Sequence, residues 1–432
     1  MREPRRLALA LLGLALVAPP AAAEPGPPAP AMVRLSLDDA IGRALAQNPT
    51  ARIAAAEIER AEALVRQARA ASLPTLTANG VYTRLDGDRV LGDRVLTPAD
   101  TLSANAALAV PLVAPRAWAR WSQAGDGVQV ARASSAEARR QLAGAVARAY
   151  LTVLATRRAL EVTERARDTA EAHFQFARTR REGGVGNRID VVRAEQEWLT
   201  DRAQTDSAAN GLARAREALA VLVGIDGPVD VADEPPVPAP SGLAAALDGA
   251  TARADVDAAR ARVTATDRAV RQSYADYAPL LTGLFQPFYQ HPSTPTVPTT
   301  GWQAQLVLSL PLYDGGLRYA QGDERELLLT EARAAYDGAL RQAKSDVRAA
   351  FESVVRADAA LGSSRDARAR ADEALKLAEE AYRAGATTNL EVVDAERRAR
   401  DAAAAAVATE DAARQARLDL LIASGRLPGS SR

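Results

Sequence analysis

The sequence predicts a mainly α-helical protein with a transmembrane β-barrel contribution, built from one unit made twice: helix, β-hairpin, long helix, turn, shorter helix. Three observations predict it. The stretch 382–396, Tyr-Arg-Ala-Gly-Ala-Thr-Thr-Asn-Leu-Glu-Val-Val-Asp-Ala-Glu, joins two very long helical patterns through one glycine turn. The stretch 181–195, Arg-Glu-Gly-Gly-Val-Gly-Asn-Arg-Ile-Asp-Val-Val-Arg-Ala-Glu, is its weaker twin about 200 residues earlier. Between such helices, two regions switch to period-two alternation over about ten residues each. Finally, hydrophobic residues make up 48% of the chain but aromatics only 4%, so alanine carries the apolar fraction, which favours long, closely packed helices.

The turns explain their own shape. Gly184 and Gly385 stand where a helix must stop, because glycine enters the left-handed C-terminal conformation without a Cβ penalty. Thr388 followed by Glu391 reads as a capping box, and Asn187 with Asp190 plays the same part in the first copy. Arg178, Arg180 and Arg181 at the end of the incoming helix suit its dipole.

Taken in order, 1–23 reads as a signal peptide. Arg2, Arg5 and Arg6 precede an apolar run at 7–17, and Ala21-Ala22-Ala23 offers a cleavage site; the run is too short to span a bilayer. Residues 24–35 are proline-rich and extended. The first repeat occupies 36–224. It opens with a helix capped by Ser36 that runs to about Ser72 and breaks at Asn48-Pro49. A β-hairpin follows at 74–112, in which Leu102, Ala104, Ala106, Leu108, Val110 and Leu112 alternate with Thr101, Ser103 and Asn105. A helical hairpin then fills 116–224, its long arm carrying a coiled-coil seam at Val146, Tyr150, Val153 and Leu160.

Residues 225–250 form a proline-rich linker that spaces the halves without entering either core, or belts the helices at their middle. The second repeat, 251–425, has its β-hairpin at 279–312 and its helical hairpin at 317–425; 426–432 is a tail. In that β-hairpin Trp302, Ala304, Leu306, Leu308, Leu310 and Leu312 alternate with Gln303, Gln305 and Ser309. At 1.5 Å per residue the long arms extend on the order of 100 Å, which no globular domain needs.

Strands of this length, apolar on one face only, are what a membrane barrel requires, and a soluble hairpin packed on the helices is the alternative. Trp118, Trp121, Tyr313 and Tyr319 fall just after the strands, where an interfacial aromatic belt would lie. Four strands cannot close a barrel and unpaired edges are not tolerated in lipid, so the barrel is shared between subunits.

Other function classes lack residues to carry them. Lys and Arg balance Asp and Glu at 54 each, so nothing points to nucleic acid. The chain has no cysteine, which excludes disulfides and thiolate metal sites. His173 and His291 stand alone, His173 on a helix surface, and no carboxylate cluster has metal-ligand spacing. Gly183-Gly184-Val185-Gly186 connects two helices rather than following a strand as a phosphate loop does. No catalysis, cofactor or metal is expected.

With these residues in view, the chain resembles the outer-membrane efflux protein family, the TolC-like channels, over essentially its whole length after 1–23. The most specific parts are Gly385 to Glu396, the Leu-Pro-Leu-Tyr-Asp-Gly-Gly run at 310–316, and the duplicated element order. The resemblance implies a homotrimer in which twelve strands form one outer-membrane barrel and the helices form a periplasmic tunnel. The helices near 36–72 and 251–277 would then stack end to end with the shorter returning arms. It further implies an exit channel of a tripartite efflux system, passively conducting cargo from an inner-membrane pump and a periplasmic adaptor. A duct for type I protein secretion is the alternative within the class, and a periplasmic coiled-coil scaffold the alternative outside it.

Carried over by position, Tyr382 matches the family's gate tyrosine and Asp190 the aspartate it hydrogen-bonds. Glu391 and Asp394 match the acidic pair lining the aperture. The family's gate arginine is Thr387 here, and Arg193, three residues after Asp190, is the candidate to replace it. Adaptor contact is assigned to the turns, at Gly184, Val185 and Gly186 and at Gly385 and Ala386.

Overall fold

A computed structural model describes residues 32–426 except 233 and 236–241. The segment 1–23 read as a signal peptide, the proline-rich residues before 32, part of the linker and the tail from 427 lie outside the described residues. The first half contains β1 (Val33–Leu35), α1 (Leu37–Gln47), α2 (Pro49–Ala70), β2 (Thr75–Arg84), β3 (Arg89–Leu91), β4 (Arg94–Thr97), β5 (Asp100–Val113), α3 (Pro115–Glu182) and α4 (Arg188–Val223). The second contains β6 (Val229–Val231), α5 (Leu243–Ala250), α6 (Ala254–Arg271), β7 (Leu280–His291), β8 (Thr300–Ser309), α7 (Leu317–Arg383) and α8 (Asn389–Ala423). The helices α3 and α7 run 68 and 67 residues, roughly 100 Å each at helical rise.

The two β-hairpins form one four-stranded antiparallel sheet in the order β2-β5-β7-β8. Register makes it two-faced. Leu76 stands opposite Leu108, Leu108 opposite Phe285, and Phe285 opposite Ala304, so Leu76, Leu102, Phe285, Trp302, Leu306 and Leu308 share one face. Thr77, Asn79, Ser103, Asn105, Gln286 and Gln303 share the other, where the Asn79 amide donates to Asn105 at 3.1 Å and Gln303 donates to Gln286 at 2.5 Å. On the apolar face Trp302, Leu306 and Leu308 are each about two-thirds exposed, a surface no element among the described residues covers. The alternation expected to reach Leu312 stops at Ser309, because Pro311 cannot donate to a ladder. The polar loop at 86–100 holds the small hairpin β3–β4, which its Gly/Asp-rich composition did not predict.

Helix ends dictate how the arms stack. The Asn48 side chain accepts the Thr50 amide at 2.8 Å and donates to the Leu222 carbonyl at 2.8 Å, so one residue separates α1 from α2 and ties both to the end of α4. Ser36 caps α1 by accepting the Asp39 amide at 3.2 Å. Gly224 (φ 81°) ends α4, and Gly425 (φ 78°) follows α8 against Gly249 and Arg253. The returning arms α4 and α8 therefore hand over to α2 and α6, and four helical lines run side by side.

Two apolar clusters lie at mid-length. Val146, Tyr150 and Val153 of α3 are fully buried with Leu219 and Val223 of α4, and Val347 and Val354 of α7 with Leu420 of α8. Each such side chain contributes about 1.5 to 3 kcal/mol. Of the two readings of the linker, the spacer that enters neither core does not hold. Val229 and Val231 of β6 are buried in the first cluster, and β6 pairs in parallel with β1, so both the linker and the end of the 24–35 segment enter the core. Their apolar alternation satisfies a two-stranded patch that neither segment could form alone. The Tyr150 hydroxyl locks the patch by donating to the Leu35 carbonyl at 3.2 Å. Glu234 adds ion pairs to Arg158 of α3 and Arg414 of α8.

Candidate gate at the helical hairpin turns

Both hairpins end in glycine-terminated turns. Gly184 (φ 81°) and Gly385 (φ 75°) reverse the chain, while the Val185 amide donates to the Arg180 carbonyl at 3.1 Å and the Ala386 amide to the Ala381 carbonyl at 2.8 Å. A Cβ on Gly186 would lie 2.8 Å from the Arg181 nitrogen, so only glycine fits there. Gly184, Val185, Gly385 and Ala386 are exposed and Gly186 is half-buried. The predicted capping boxes do not form. Asn187 and Thr388 are extended as N-caps should be, yet neither side chain caps. Instead the Thr387 hydroxyl donates to the Glu391 carboxylate. At an exposed tip water satisfies the first N–H groups, and the side chain is free to bind elsewhere.

Tyr382 is buried, yet its hydroxyl makes no hydrogen bond to Asp190 among the described residues. Its ring centroid lies 6.0 Å from those of His173 and Phe176, and the Arg180 guanidinium sits 4.8 Å over it. Asp190, half-buried, offers its carbonyl to the Asn389 amide at 3.4 Å. Arg193 is half-buried with no ion pair among the described residues, and Glu391 and Asp394 are exposed on α8, Asp394 paired with Arg398 at 2.9 Å.

The structure adds a polar cluster just above the turns that residue spacing alone did not single out. His173, expected on a surface, is half-buried with its side chain turned inward: its Nε2 lies 2.6 Å from Asn389 Oδ1 and its Nδ1 3.3 Å from Glu396 Oε1. About one helical turn further along α8, Arg400 reaches across to α4, its Nη1 2.5 Å from both Glu197 and Asp201, and Arg397 reaches Glu197 at 3.1 Å. Burial pushes the Glu197 carboxyl up, but hydrogen bonds from two guanidinia outweigh it and hold the group below the usual range. Burial dominates at Asp201, which has Arg400 alone, and its carboxyl titrates above the usual range. Burial also lowers His173, and it raises Glu396 to about 8, with the Glu379, Glu197 and Asp201 charges adding to the rise. A signal existed. Asn389 and Glu396 are seven apart, in step with the buried seam Val392, Ala399, Ala406 and Ala413, and His173 sits between Ala170 and Ala177.

Trp118 and Trp121 stand in the first two turns of α3, Tyr319 in the first turn of α7 and Tyr313 in the link between β8 and α7, all exposed. Trp121 is capped by Arg69 at 5.4 Å, and Tyr319 meets Tyr277 at 6.0 Å.

The family model described as outer membrane efflux protein matches 40–225 and 248–426. The chain belongs to the outer membrane efflux protein family. It is 29% identical over 304 residues to the fusaric acid resistance protein FusA of Burkholderia cepacia, covering 66% of this chain and 57% of that protein. With outer membrane protein OprJ of Pseudomonas aeruginosa it shares 26% identity over 383 residues, 83% of this chain and 77% of OprJ. The fold superposes on the open state of the Neisseria gonorrhoeae MtrE outer membrane channel with a TM-score of 0.76, 23% identity, and 92% and 90% of the two chains covered. Its fold is accordingly that of the outer-membrane efflux channels.

Proposed function

We propose that the protein is the passive exit duct of a tripartite efflux system, exported through 1–23 and assembled as a homotrimer. Three copies of the four-stranded sheet make a twelve-stranded barrel. The observation that carries this is the sheet itself, because β2 and β8 are free edges flanking a continuous apolar face, and lipid tolerates neither an open edge nor the polar face opposite. On this reading the chain divides into repeats 36–224 and 251–425 around the segment 225–250. The apolar face meets outer-membrane lipid, with Trp118, Trp121, Tyr313 and Tyr319 at the interface.

The turns form the periplasmic gate. Glu391 and Asp394 from three subunits place six carboxylates around one aperture, which favours cations. Tyr382, Asp190, Arg193 and Thr387 hold the hairpins closed beside it. Energy and cargo come from an inner-membrane pump through a periplasmic adaptor that seats on Gly184, Val185, Gly186, Gly385 and Ala386. The deciding experiment is planar-bilayer conductance of the detergent-purified protein beside its mass by light scattering. Small cation-selective steps from a trimer support the reading. A monomer without conductance overturns it in favour of a scaffold. Crosslinks from Val185→Cys and Ala386→Cys to the adaptor test the tip contact, and labels that meet it only at mid-helix refute that contact.

A further inference from the structure

We infer that His173, Asn389 and Glu396 form a one-proton clasp that joins the two helical hairpins of a protomer and acts as a gate-positioning element separate from Tyr382 and Asp190. The inference rests on the gate reading above and adds residues to it. Three helices meet in the chain of contacts: Asp190 lies on α4, Asn389 and Glu396 on α8, and His173 on α3, while Tyr382 of α7 packs against the imidazole.

Bond directions fix where the protons are. The Asn389 amide nitrogen donates to the Asp190 carbonyl, so its Oδ1 is an acceptor and His173 Nε2 carries the hydrogen. One proton then closes the 3.3 Å contact between His173 Nδ1 and Glu396 Oε1, held either by the glutamate facing a neutral imidazole or by Nδ1 facing a carboxylate. The neutral pair is what the surroundings demand. Both side chains are 8% exposed, and Glu396 Oε2 is buried with no hydrogen-bond partner. A carboxylate there would be desolvated and uncompensated. Glu379 of α7 and Glu197 and Asp201 of α4 add negative charge, against which Arg400 is the main opposing cation, itself held by Glu197 and Asp201. Asp168 of α3 and Arg383 of α7 line the same cleft of about 500 Å³, through which water exchanges the proton.

The direction of the pH effect follows. Glu396 titrates at about 8 when closed and near the ordinary 4.5 once the hairpins part and water reaches it. A raised carboxyl stabilises the closed state fully below about 4.5, and that contribution is lost as pH rises toward 8. Because an imidazole freed on opening takes up a proton of its own below its ordinary 6.5, the effect falls between about 6.5 and 8, where each pH unit lowers the closed-to-open ratio by up to about tenfold.

The test compares wild type, Glu396→Gln and His173→Ala between pH 5 and 8 by two readouts. One is bilayer conductance. The other is the distance between spin labels on Val185→Cys and Ala386→Cys, convenient in a chain without cysteine. Glutamine keeps a donor toward His173 Nδ1 and cannot ionise. The clasp predicts that wild type opens and its tips separate as pH rises, that Glu396→Gln stays closed and flat, and that His173→Ala is open throughout. A wild-type separation that ignores pH, or a Glu396→Gln profile that follows wild type, overturns it. No current from any protein together with the predicted label distances keeps the clasp and refutes the channel.

Discussion

Replacing Arg400 by alanine should loosen the tip far more than replacing Arg397, although both pair with Glu197. Arg400 is 11% exposed and its two carboxylate partners 5% each, whereas Arg397 is 53% exposed. Breaking a buried pair by removing one partner costs about 3 to 5 kcal/mol, since a desolvated charge is left behind. Arg397 still serves Glu197, which places Arg400→Ala at the low end, about 3 kcal/mol or roughly 150-fold in the local opening equilibrium. An exposed pair contributes on the order of 0.5 kcal/mol, so Arg397→Ala should cost about twofold. Hydrogen exchange resolved by segment suits the question, because local opening is read without unfolding the chain. Amides of 190–205 and 390–405 should exchange about a hundredfold faster in Arg400→Ala while those of the β-sheet do not change. Removing all three charges as Glu197→Gln, Asp201→Asn and Arg400→Met should restore most of the protection. Equal, small effects from the two arginines would refute the argument that burial decides their worth.

Other outcomes follow from the same geometry. Tyr382→Ala empties a buried ring site and should cost closure about 3 kcal/mol, seen as larger conductance, whereas Tyr382→Phe should leave conductance unchanged because no hydroxyl bond to Asp190 is lost. Gly186→Ala should displace the first turn, where a Cβ meets backbone at 2.8 Å, and weaken adaptor crosslinking at Val185 without lowering trimer stability. Asp276 joins Arg116 of α3 at 2.8 Å to Arg325 of α7 at 2.7 Å beneath the sheet. Burial raises that carboxyl, but the two guanidinia outweigh it and the group titrates below the usual range. Its stabilisation is therefore present above about 3.8 and lost as pH falls below it, so Asp276→Asn should lower the melting temperature at pH 7 and narrow its gap to wild type under acid.

Much of the architecture could be read from local chemistry. Gly184, Gly385, Gly224 and Gly425 take left-handed backbone where the helical patterns stop, and Ser36 and Asn48 cap the helices they precede. Period-two alternation located the strands, because one face of each must be apolar. What escaped was set by partners distant in sequence. β6 is three residues long and reads as linker until β1, almost 200 residues away, pairs with it. His173 looks like a surface residue on its own helix, and only Asn389 and Glu396, more than 200 positions later, explain its burial. Thr388 carries a capping signature, but an exposed turn gives the cap little to stabilise.

The distribution of packing along the tunnel bears on how a gate works. The clusters at mid-length draw together residues of α3, α4, α7 and α8, while the cluster near the turns has only Ala177, Val191 and Ala194 with Phe174 against them. Apolar area is a non-directional adhesive, and a tip held by it would need a large, uniform force to part. The hairpins instead meet there through His173, Asn389, Glu396 and Arg400, whose bonds are directional and whose charges are set by burial. Parting the helices admits water, which rehydrates the carboxylates and removes the reason for Glu396 to hold its proton. On the gate proposed above, opening is self-reinforcing once begun and stops where the apolar clusters start, so the tip would move while the mid-length of the helices stays whole. Shortening that firm region by Val153→Ala, a fully buried site, should spread exchange from the tip toward mid-length; protection that stays confined to the tip segments would show that the apolar clusters do not set the boundary.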